Sequence, residues 1–344
     1  MKAKAIIAYD KKKVEIREVE IGELGEWDIL VELEYSSIST GTEGYVLSHT
    51  EDFHLPYIPG YGPIGKIIKV GPKASKDWKV GDRVSYFTNN YGQDVSEGRL
   101  NNNVVANCGG HLSPALKNVD PDKYTDNNSY CVKVPEKLSS KKACFGGISS
   151  ISSYAVSLAN PSVGDKVLVM GQGIIGQMAA QHFQLRGAEL AVADLYEKRV
   201  EIAKESGANI AINASNTDIF ETIKSAWPDG ADIIVDATTN FKLIESSLSV
   251  IKNGAKYVFL AMYSQGEFPL RKLQGIIYRA YFPWCLRGSH TLNSWDLMSN
   301  GRLKIDHLIT HTFDVKNAQD AYDLVFDAPQ DYLGINLNWE SLKS

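Results

Sequence analysis

The stretch KVLVMGQGIIGQMAA, residues Lys166–Ala180, decides the fold of the second half of this chain. An apolar strand pattern runs directly into Gly171-x-Gly173-x-x-Gly176 and then into a helical pattern. This context gives each glycine a physical role: the first permits a tight turn, the second lets the backbone approach a pyrophosphate, and the third lets the helix pack closely on the strand. An anionic pyrophosphate would lie on the N–H groups at the helix N-terminus, where the helix dipole favours negative charge.

The next strand pattern, ELAVAD, ends at Asp194. A carboxylate at this place accepts hydrogen bonds from the adenosine ribose hydroxyls and repels a phosphate, so the sequence predicts NAD(H) as the cofactor. Lys198 and Arg199 are close enough along the chain to keep NADP(H) as an alternative, and Asp194 could instead be a solvated turn residue. Two later strand patterns, DIIV and KYVFL, should end at the same ligand-binding edge. The predicted cofactor residues are Gly171, Gly173, Ile174, Ile175, Gly176, Asp194, Arg199, Ala237, Thr238, Ala261 and Met262.

Outward from this motif, strand and helix patterns alternate from about residue 150 onward, which predicts a doubly wound parallel sheet of the Rossmann type. Before residue 150 the chain is rich in short β-branched and aromatic runs, which indicates a barrel-like or sandwich-like domain. Residues 88–129 are polar and rich in turn formers, so we expect a surface excursion there. The predicted class is α/β, with one domain formed by residues 1–152 and 290–344 and a Rossmann domain at 153–289.

Composition narrows the possible partners. The 344 residues carry a net charge of -5 without a Lys/Arg-rich run, which argues against a nucleic-acid partner. The apolar run near the N-terminus is too short for a signal peptide or a membrane span, so we expect a cytoplasmic protein without a membrane partner. The cysteines form no C-x-x-C pair, which favours scattered reduced thiols over a metal knot or a disulfide framework; they are Cys108, Cys131, Cys144 and Cys285.

Over nearly its whole length the sequence resembles the medium-chain dehydrogenase/reductase family. The resemblance rests on Gly41-Thr42-Glu43, LPYIPGYGPIGKIIKVG, VGDRV, VGDKVLVMGQGIIG and HLITHTFDVKNAQDAYDLV. It implies a GroES-like catalytic domain interrupted by the Rossmann domain, a small-molecule substrate and a homodimer. It also implies that Arg287 lies near the nicotinamide, which adds Arg287 to the cofactor residues.

The sequence departs from the family pattern at the positions of the zinc ligands. Zinc members of the family have a cysteine before a Gly-Thr-Asp-like triplet, then a Gly-His-Glu, and a third ligand before the nucleotide motif. This chain has Ser39-Thr40, Gly60-Tyr61-Gly62 and Gly146 at these places, and Cys144 alone cannot hold zinc. The structural zinc of such proteins needs four close cysteines, and residues 88–129 contain only Cys108. The stretch SISTGTE is most similar to the zinc-lacking branch that includes bacteriochlorophyllide dehydrogenase, so no zinc is expected.

Without a metal, hydroxyl donors must stabilise the charge that develops on a substrate oxygen. Thr42 is the first candidate, because the matching Thr or Ser in zinc relatives contacts that oxygen. Tyr61 replaces the histidine ligand and could place a phenol at the oxygen, or could simply fill the hole left by the metal. Tyr45 and Glu43 could extend a proton relay, with Glu43 as a supporting residue.

Other basic residues are weaker candidates. His49 and His54 lie in a loop that should approach the site, but a loop histidine is more often a surface residue. Positive charge is concentrated at Arg271, Lys272, Arg279 and Arg287, where a substrate phosphate or carboxylate could bind or the charges could simply be solvated.

The leading interpretation is therefore a zinc-independent, NAD(H)-dependent alcohol dehydrogenase or ketoreductase acting on a polar small metabolite such as a sugar or cyclitol. One alternative is a zinc-free enone or quinone reductase. A second alternative is a catalytically silent nucleotide-sensing subunit.

Overall fold

The computed structural model describes residues 1–50, 55–87, 105–106, 109–123, 126, 130–263, 270–272, 277–284 and 286–342. The chain divides into two compact units. The first unit comprises Met1–Ser150, Cys285–Ser299 and Leu308–Ser344, and the second comprises Ile151–Trp284 and Asn300–His307. None of the described helices is long and apolar enough to cross a membrane.

The N-terminal part of the first unit is mainly β-structure. Its strands are β1 (Lys2–Asp10), β2 (Lys13–Glu20), β3 (Asp28–Ile38), β4 (Tyr57–Ile58), β5 (Tyr61–Val70), β6 (Arg83–Tyr86), β7 (Val105–Ala106), β8 (Leu112–Ser113), β9 (Ala115–Asn118) and β10 (Cys131–Lys133). Its helices are α1 (Thr40–Ser48) and α2 (Ser140–Ala143), and α3 (Gly146–Ala159) contains the boundary with the second unit.

The second unit contains the predicted alternation. Its strands are β11 (Lys166–Met170), β12 (Glu189–Asp194), β13 (Ile210–Asn213), β14 (Ala231–Asp236), β15 (Ile251–Phe259) and β16 (Ile277–Tyr281). The helices between them are α4 (Ile174–Gln184), α5 (Glu197–Glu205), α6 (Ile219–Ala226) and α7 (Phe241–Ser247). The strands pair in parallel in the order β13–β12–β11–β14–β15–β16. The predicted doubly wound parallel sheet is therefore confirmed.

The sheet of the second unit is buried on both faces, as its apolar strands require. One core cluster joins Val167 and Val169 of β11 to Phe183 of α4. The other joins Leu168 and Met170 of the same strand to Trp227, which follows α6. Alternate residues of β11 thus point into opposite helical layers, and this places the strand at the centre of the unit.

The C-terminal elements belong to the first unit. They are α8 (Gly288–Ser299), β17 (Ile309–Asp314), α9 (Ala318–Asp327) and β18 (Gly334–Asn338). β18 pairs antiparallel with β3 and parallel with β17, and it completes a sheet in the order β10–β6–β5–β3–β18–β17. The second sheet of this unit has the order β2–β1–β4–β7.

The expected surface excursion at 88–129 is wrong where the structure describes it best. β8 pairs with β1 and β9 pairs with β3, while Leu112 and Leu116 are fully buried. Within HLSPALK the apolar side chains of Leu112, Ala115 and Leu116 are buried, and their burial holds the segment in the core. Most of residues 88–108 lie outside the described residues, as does Cys108.

Candidate functional site

The glycine-rich turn of the second unit has the geometry of a nucleotide cradle. Gly171 has a φ of +89°, and its N–H donates to the Ala193 carbonyl at 2.8 Å. A Cβ added at Gly176 would lie 1.8 Å from the Gly171 oxygen, so α4 packs against the turn as closely as a glycine permits. Gly173 is the N-cap of α4. A Cβ added there would have only the Arg199 Nη1 atom near it, at 4.0 Å, so the backbone at the helix start is open to a ligand.

Asp194 lies at the end of β12 and is held by backbone N–H groups. Its Oδ2 atom accepts from the Gln172 N–H at 2.6 Å, and its Oδ1 atom accepts from the Tyr196 N–H at 2.9 Å. Arg199 Nη1 is 3.8 Å from Asp194 Oδ2. The acid and the arginine that bear on cofactor choice are therefore neighbours at the same strand end.

The end of β14 is organised by Asp236, which is fully buried. Its Oδ1 atom accepts from the Thr238 hydroxyl at 2.6 Å, and its Oδ2 atom accepts from the Tyr263 hydroxyl at 2.6 Å. Burial raises the pKa of Asp236, while these donors oppose the rise. The hydrogen bonds fix the turn through Ala237 and Thr238, two of the predicted cofactor residues, and both are half-buried. Ala261 and Met262 follow β15 and are half-buried as well.

In the first unit, the predicted donors lie on α1 and β5. Thr42 is half-buried in the first turn of α1, and its hydroxyl has no hydrogen-bond partner among the described residues. Tyr45 is half-buried and stacks on His49, with ring centroids 4.3 Å apart. Tyr61 is the first residue of β5, opposite Ser37 of β3, and its ring centroid is 6.3 Å from that of Phe87.

Glu43 is not an exposed relay group but part of a buried network. Its Oε1 atom accepts from the Ser39 N–H at 2.7 Å, and its Oε2 atom accepts from the Tyr322 hydroxyl of α9. Burial raises the pKa of Glu43 to about 8, although the Tyr322 and Ser39 donors oppose the rise.

His111 belongs to the same network and was missed in the sequence. Its Nε2 atom lies 3.7 Å from Glu43 Oε2, and its Nδ1 atom is 2.8 Å from the Ser36 hydroxyl oxygen. Trp339 Nε1–H donates to that same oxygen at 2.7 Å. Burial lowers the pKa of His111 to about 3. The available signal was a histidine beside the apolar residues of HLSPALK, but its partners are far away along the chain.

The positions where zinc relatives carry ligands do not fit a metal here. A Cβ at Gly146 would lie 2.1 Å from the Trp295 Nε1 atom, so the indole occupies the space that a ligand side chain needs. Gly62 has a φ of +49°, and a Cβ there would lie 1.8 Å from the Cys144 carbonyl oxygen. Within the described part of the chain, no cluster of three or more His, Cys, Asp or Glu residues could hold a metal ion. The thiols of Cys131 and Cys144 are free and buried, while Cys285 lies outside the described residues.

The remaining basic candidates belong to different units. Arg271, Lys272 and Arg279 are exposed, and Lys272 pairs with Glu245. Arg287 is half-buried in the first unit directly before α8, where its backbone carbonyl accepts from the Thr291 hydroxyl at 2.8 Å. His54 lies outside the described residues.

Comparisons with known proteins agree with this architecture. A family model described as alcohol dehydrogenase GroES-like domain matches residues 25–117, and one described as zinc-binding dehydrogenase matches residues 175–282. An L-threonine 3-dehydrogenase of Coxiella burnetii is 26% identical over 92% of this chain and 93% of its own length. A sorbitol dehydrogenase of Bacillus subtilis is 24% identical over 93% of this chain and 92% of its own length.

Solved structures share the fold. A short chain alcohol dehydrogenase of E. coli CFT073 complexed with NADH has a TM-score of 0.80 at 24% identity, covering 98% of this chain and 99% of its own. A putative zinc-binding dehydrogenase of Sinorhizobium meliloti bound to NADP has a TM-score of 0.78 at 20% identity, with the same coverage. The GroES-like domain and the Rossmann domain are thus both confirmed, and the chain belongs to the medium-chain, zinc-type alcohol dehydrogenase-like family.

Proposed function

We propose that this member of the family is a zinc-independent, NAD(H)-dependent oxidoreductase that interconverts a secondary alcohol and a ketone on a polar small metabolite such as a sugar or cyclitol. The observation that carries the proposal is at Gly146, where the Trp295 indole fills the space of a third metal ligand. Ser39-Thr40 and Tyr61 at the other two ligand positions agree with it.

The cofactor site fits a dinucleotide. The open backbone at Gly173 and the start of α4 would hold the pyrophosphate, and Asp194 would accept hydrogen bonds from the ribose hydroxyls. Bound NAD(H) supplies the hydride acceptor or donor for the reaction. Arg199 gives NADP(H) a possible phosphate partner, but the fixed carboxylate of Asp194 beside it favours NAD(H).

Thr42 and Tyr61 are proposed to replace the Lewis acid. A hydroxyl aimed at a developing oxyanion in a dry site contributes roughly 3–4 kcal/mol to transition-state stabilisation, so two such donors can substitute for part of the metal's effect. Thr42 is half-buried in the first turn of α1, where its hydroxyl would donate to a substrate oxygen. The relatives named for threonine and sorbitol support a polar substrate with a secondary hydroxyl.

A homodimer is part of the proposal. β16 is an edge strand among the described strands of its sheet, and two large aromatic residues that follow it, Phe282 and Trp284, are 64% and 67% exposed. Apolar side chains at an open sheet edge are typical of an interface. Light scattering tests this part, and a monomeric mass would overturn it.

Label transfer tests the reaction. The purified, chelator-treated protein, with its zinc content measured by mass spectrometry, is incubated with NADH deuterated at the transferable position and a small-molecule cell extract. Deuterium on a carbinol carbon at substoichiometric zinc supports the proposal. Deuterium on a carbon beta to a carbonyl indicates the enone reductase instead. Loss of turnover on chelation, restored by zinc, would show that the reaction needs the metal. Intact NADH binding with no labelled product, from the extract or from a panel of polyols including sorbitol, favours the sensing subunit.

A further inference from the structure

His111 joins the two segments that carry the proposed oxygen-binding donors. Its backbone N–H donates to the Pro59 carbonyl at 3.1 Å, and the backbone N–H of the neighbouring Gly110 donates to the Gly60 carbonyl at 3.1 Å. The imidazole packs directly on Gly60, because a Cβ there would lie 2.4 Å from the His111 Cγ atom. His111 is therefore attached to the residue before Tyr61.

The other side of the ring faces the residue after Thr42. Trp339 Nε1–H donates to the Ser36 oxygen, which leaves the Ser36 hydroxyl proton for His111 Nδ1. The ring proton then lies on Nε2, which points at Glu43 Oε2 across 3.7 Å. No hydrogen-bond partner is recorded for this Nε2 atom among the described residues.

Glu43 connects His111 to the start of helix α1. Its carboxyl accepts from the Ser39 N–H just before α1 and from the Tyr322 hydroxyl of α9. The turn that contains Thr42 is thus held at its beginning by Ser39 and at its end by Glu43. His111 and Glu43 together form one buried connection between the Thr42 turn and the Tyr61 strand.

We propose that His111 is a positioning residue for the reaction: through Glu43 on one side and Gly60 on the other, it fixes the separation of the Thr42 and Tyr61 hydroxyls. This inference rests on the proposed role of those two hydroxyls. A purely structural explanation is weaker, because a well-packed apolar side chain stabilises such a site at least as well as a buried polar pair. The uncompensated Nε2 atom adds a cost that a structural residue need not carry.

The test compares His111→Phe, which keeps a ring, with His111→Gln, which keeps an N–H toward Glu43. Turnover is measured with NADH and the ketone identified by label transfer, well below the melting temperature of each variant. We expect kcat to fall by about 10- to 100-fold in His111→Phe, because misplacement by about 1 Å costs up to that factor. His111→Gln should recover most of the loss, and the Kd for NADH should stay unchanged in both.

Two further variants distinguish a positioning role of His111 from a general loss of stability. Glu34→Gln is the matched control, since Glu34 is a buried carboxylate of β3 whose side chain pairs with Lys66, five residues along β5 from Tyr61, and with Ser140, and takes no part in the His111–Glu43 connection. It should lower stability and leave kcat unchanged. In a Thr42→Val background, His111→Phe should cost less than it does alone, because part of the alignment it maintains has already lost its donor.

The connection between Glu43 and Tyr61 can also be tested without substrate, by fluorine NMR. A fluorinated tyrosine at position 61 should give a shifted and broadened fluorine resonance in Glu43→Gln and an unchanged one in Glu34→Gln. An unmoved resonance in Glu43→Gln, or an unchanged kcat in His111→Phe, overturns the positioning role. A wild-type protein that transfers no label while the resonance still responds overturns the proposed function and leaves the connection itself established.

Discussion

The Nε2 atom of His111 lies 3.7 Å from the Oε2 atom of Glu43, and the two side chains are 0% and 3% exposed. Burial acts on the pair in opposite directions, because it raises the pKa of the carboxyl to about 8 and lowers the pKa of the imidazole to about 3. Both groups are therefore uncharged near neutral pH, and their ionisation is linked to folding.

Glu43→Gln should change the pH dependence of stability. Above pH 6.5 His111 is neutral in both the folded and unfolded states, so Glu43 is the titrating member of the pair. The folded state holds the Glu43 proton up to about pH 8, so wild-type stability should fall as pH rises through that value, by at most about 1.4 kcal/mol per pH unit from one group. The melting temperature of wild type should therefore fall relative to that of Glu43→Gln between pH 6.5 and 8, and a constant difference would contradict the shift.

Below pH 6.5, His111 should give a slope of the opposite sign. The unfolded chain binds a proton that the buried imidazole does not accept, so the stability contributed by the neutral ring is lost as pH falls from about 6.5 toward 3. Between pH 4.5 and 6.5 the Glu43 contribution has the opposite sign, because the folded state binds the Glu43 proton that the unfolded chain releases. Stability in His111→Phe should therefore rise more steeply than in wild type as pH falls from 6.5 to 4.5. The same melting experiment over this interval measures it, and an unchanged profile in the variant would show that His111 does not contribute.

Thr42→Val should reduce kcat by about 100- to 1,000-fold, the range expected for loss of one donor to a developing oxyanion. Thr42→Ser keeps the hydroxyl and is the matched control. The turnover of both is measured with the substrate found by label transfer, and NADH affinity is measured by fluorescence titration. Full activity in Thr42→Val would exclude this hydroxyl from the chemistry.

Cofactor preference should depend on Asp194 and Arg199 in opposite ways. Asp194→Asn should weaken NADH binding by about 10-fold or more, since hydrogen bonds to a charged group contribute about 1.5–3 kcal/mol, and should improve NADPH binding by removing repulsion. Arg199→Ala should weaken NADPH binding selectively. Titrations with NADH and NADPH measure both affinities in each variant. An unchanged NADH affinity in Asp194→Asn would show that the carboxylate does not contact the ribose.

Gly146→Ala should be destabilising by about 1–3 kcal/mol, the usual range for overpacking a core. The added methyl group would meet the Trp295 indole at 2.1 Å. Gly41→Ala is the control, because a Cβ there has no atom within 4 Å. Denaturant unfolding compares the two, and a stable Gly146→Ala protein would mean that Trp295 can move aside.

The parts of the fold that follow local rules were readable from the sequence. Gly171 and Gly176 have the conformation and close packing that the motif requires, and the alternation after residue 150 forms one parallel sheet. Asp194 could be placed because it ends a strand at a fixed distance from the glycines.

The buried hydrogen-bond network around His111 and Glu43 could not be predicted from local sequence patterns. Ser36 and His111 are 75 residues apart and Glu43 and Tyr322 are 279 apart, so no local periodicity connects them. The same holds for Trp295, whose position against Gly146 depends on the packing of a helix from the far end of the chain. The sequence predicts that the metal ligands are missing, and the structure shows that Trp295 occupies the space beside Gly146.

The indole of Trp295 restricts changes at position 146. A cysteine or acid introduced at position 146 collides with the indole, while removal of Trp295 alone opens a cavity and leaves the Ala143 carbonyl without its donor. Either change at this position therefore costs stability when it is made alone. A ligand side chain at position 146 would require both substitutions together.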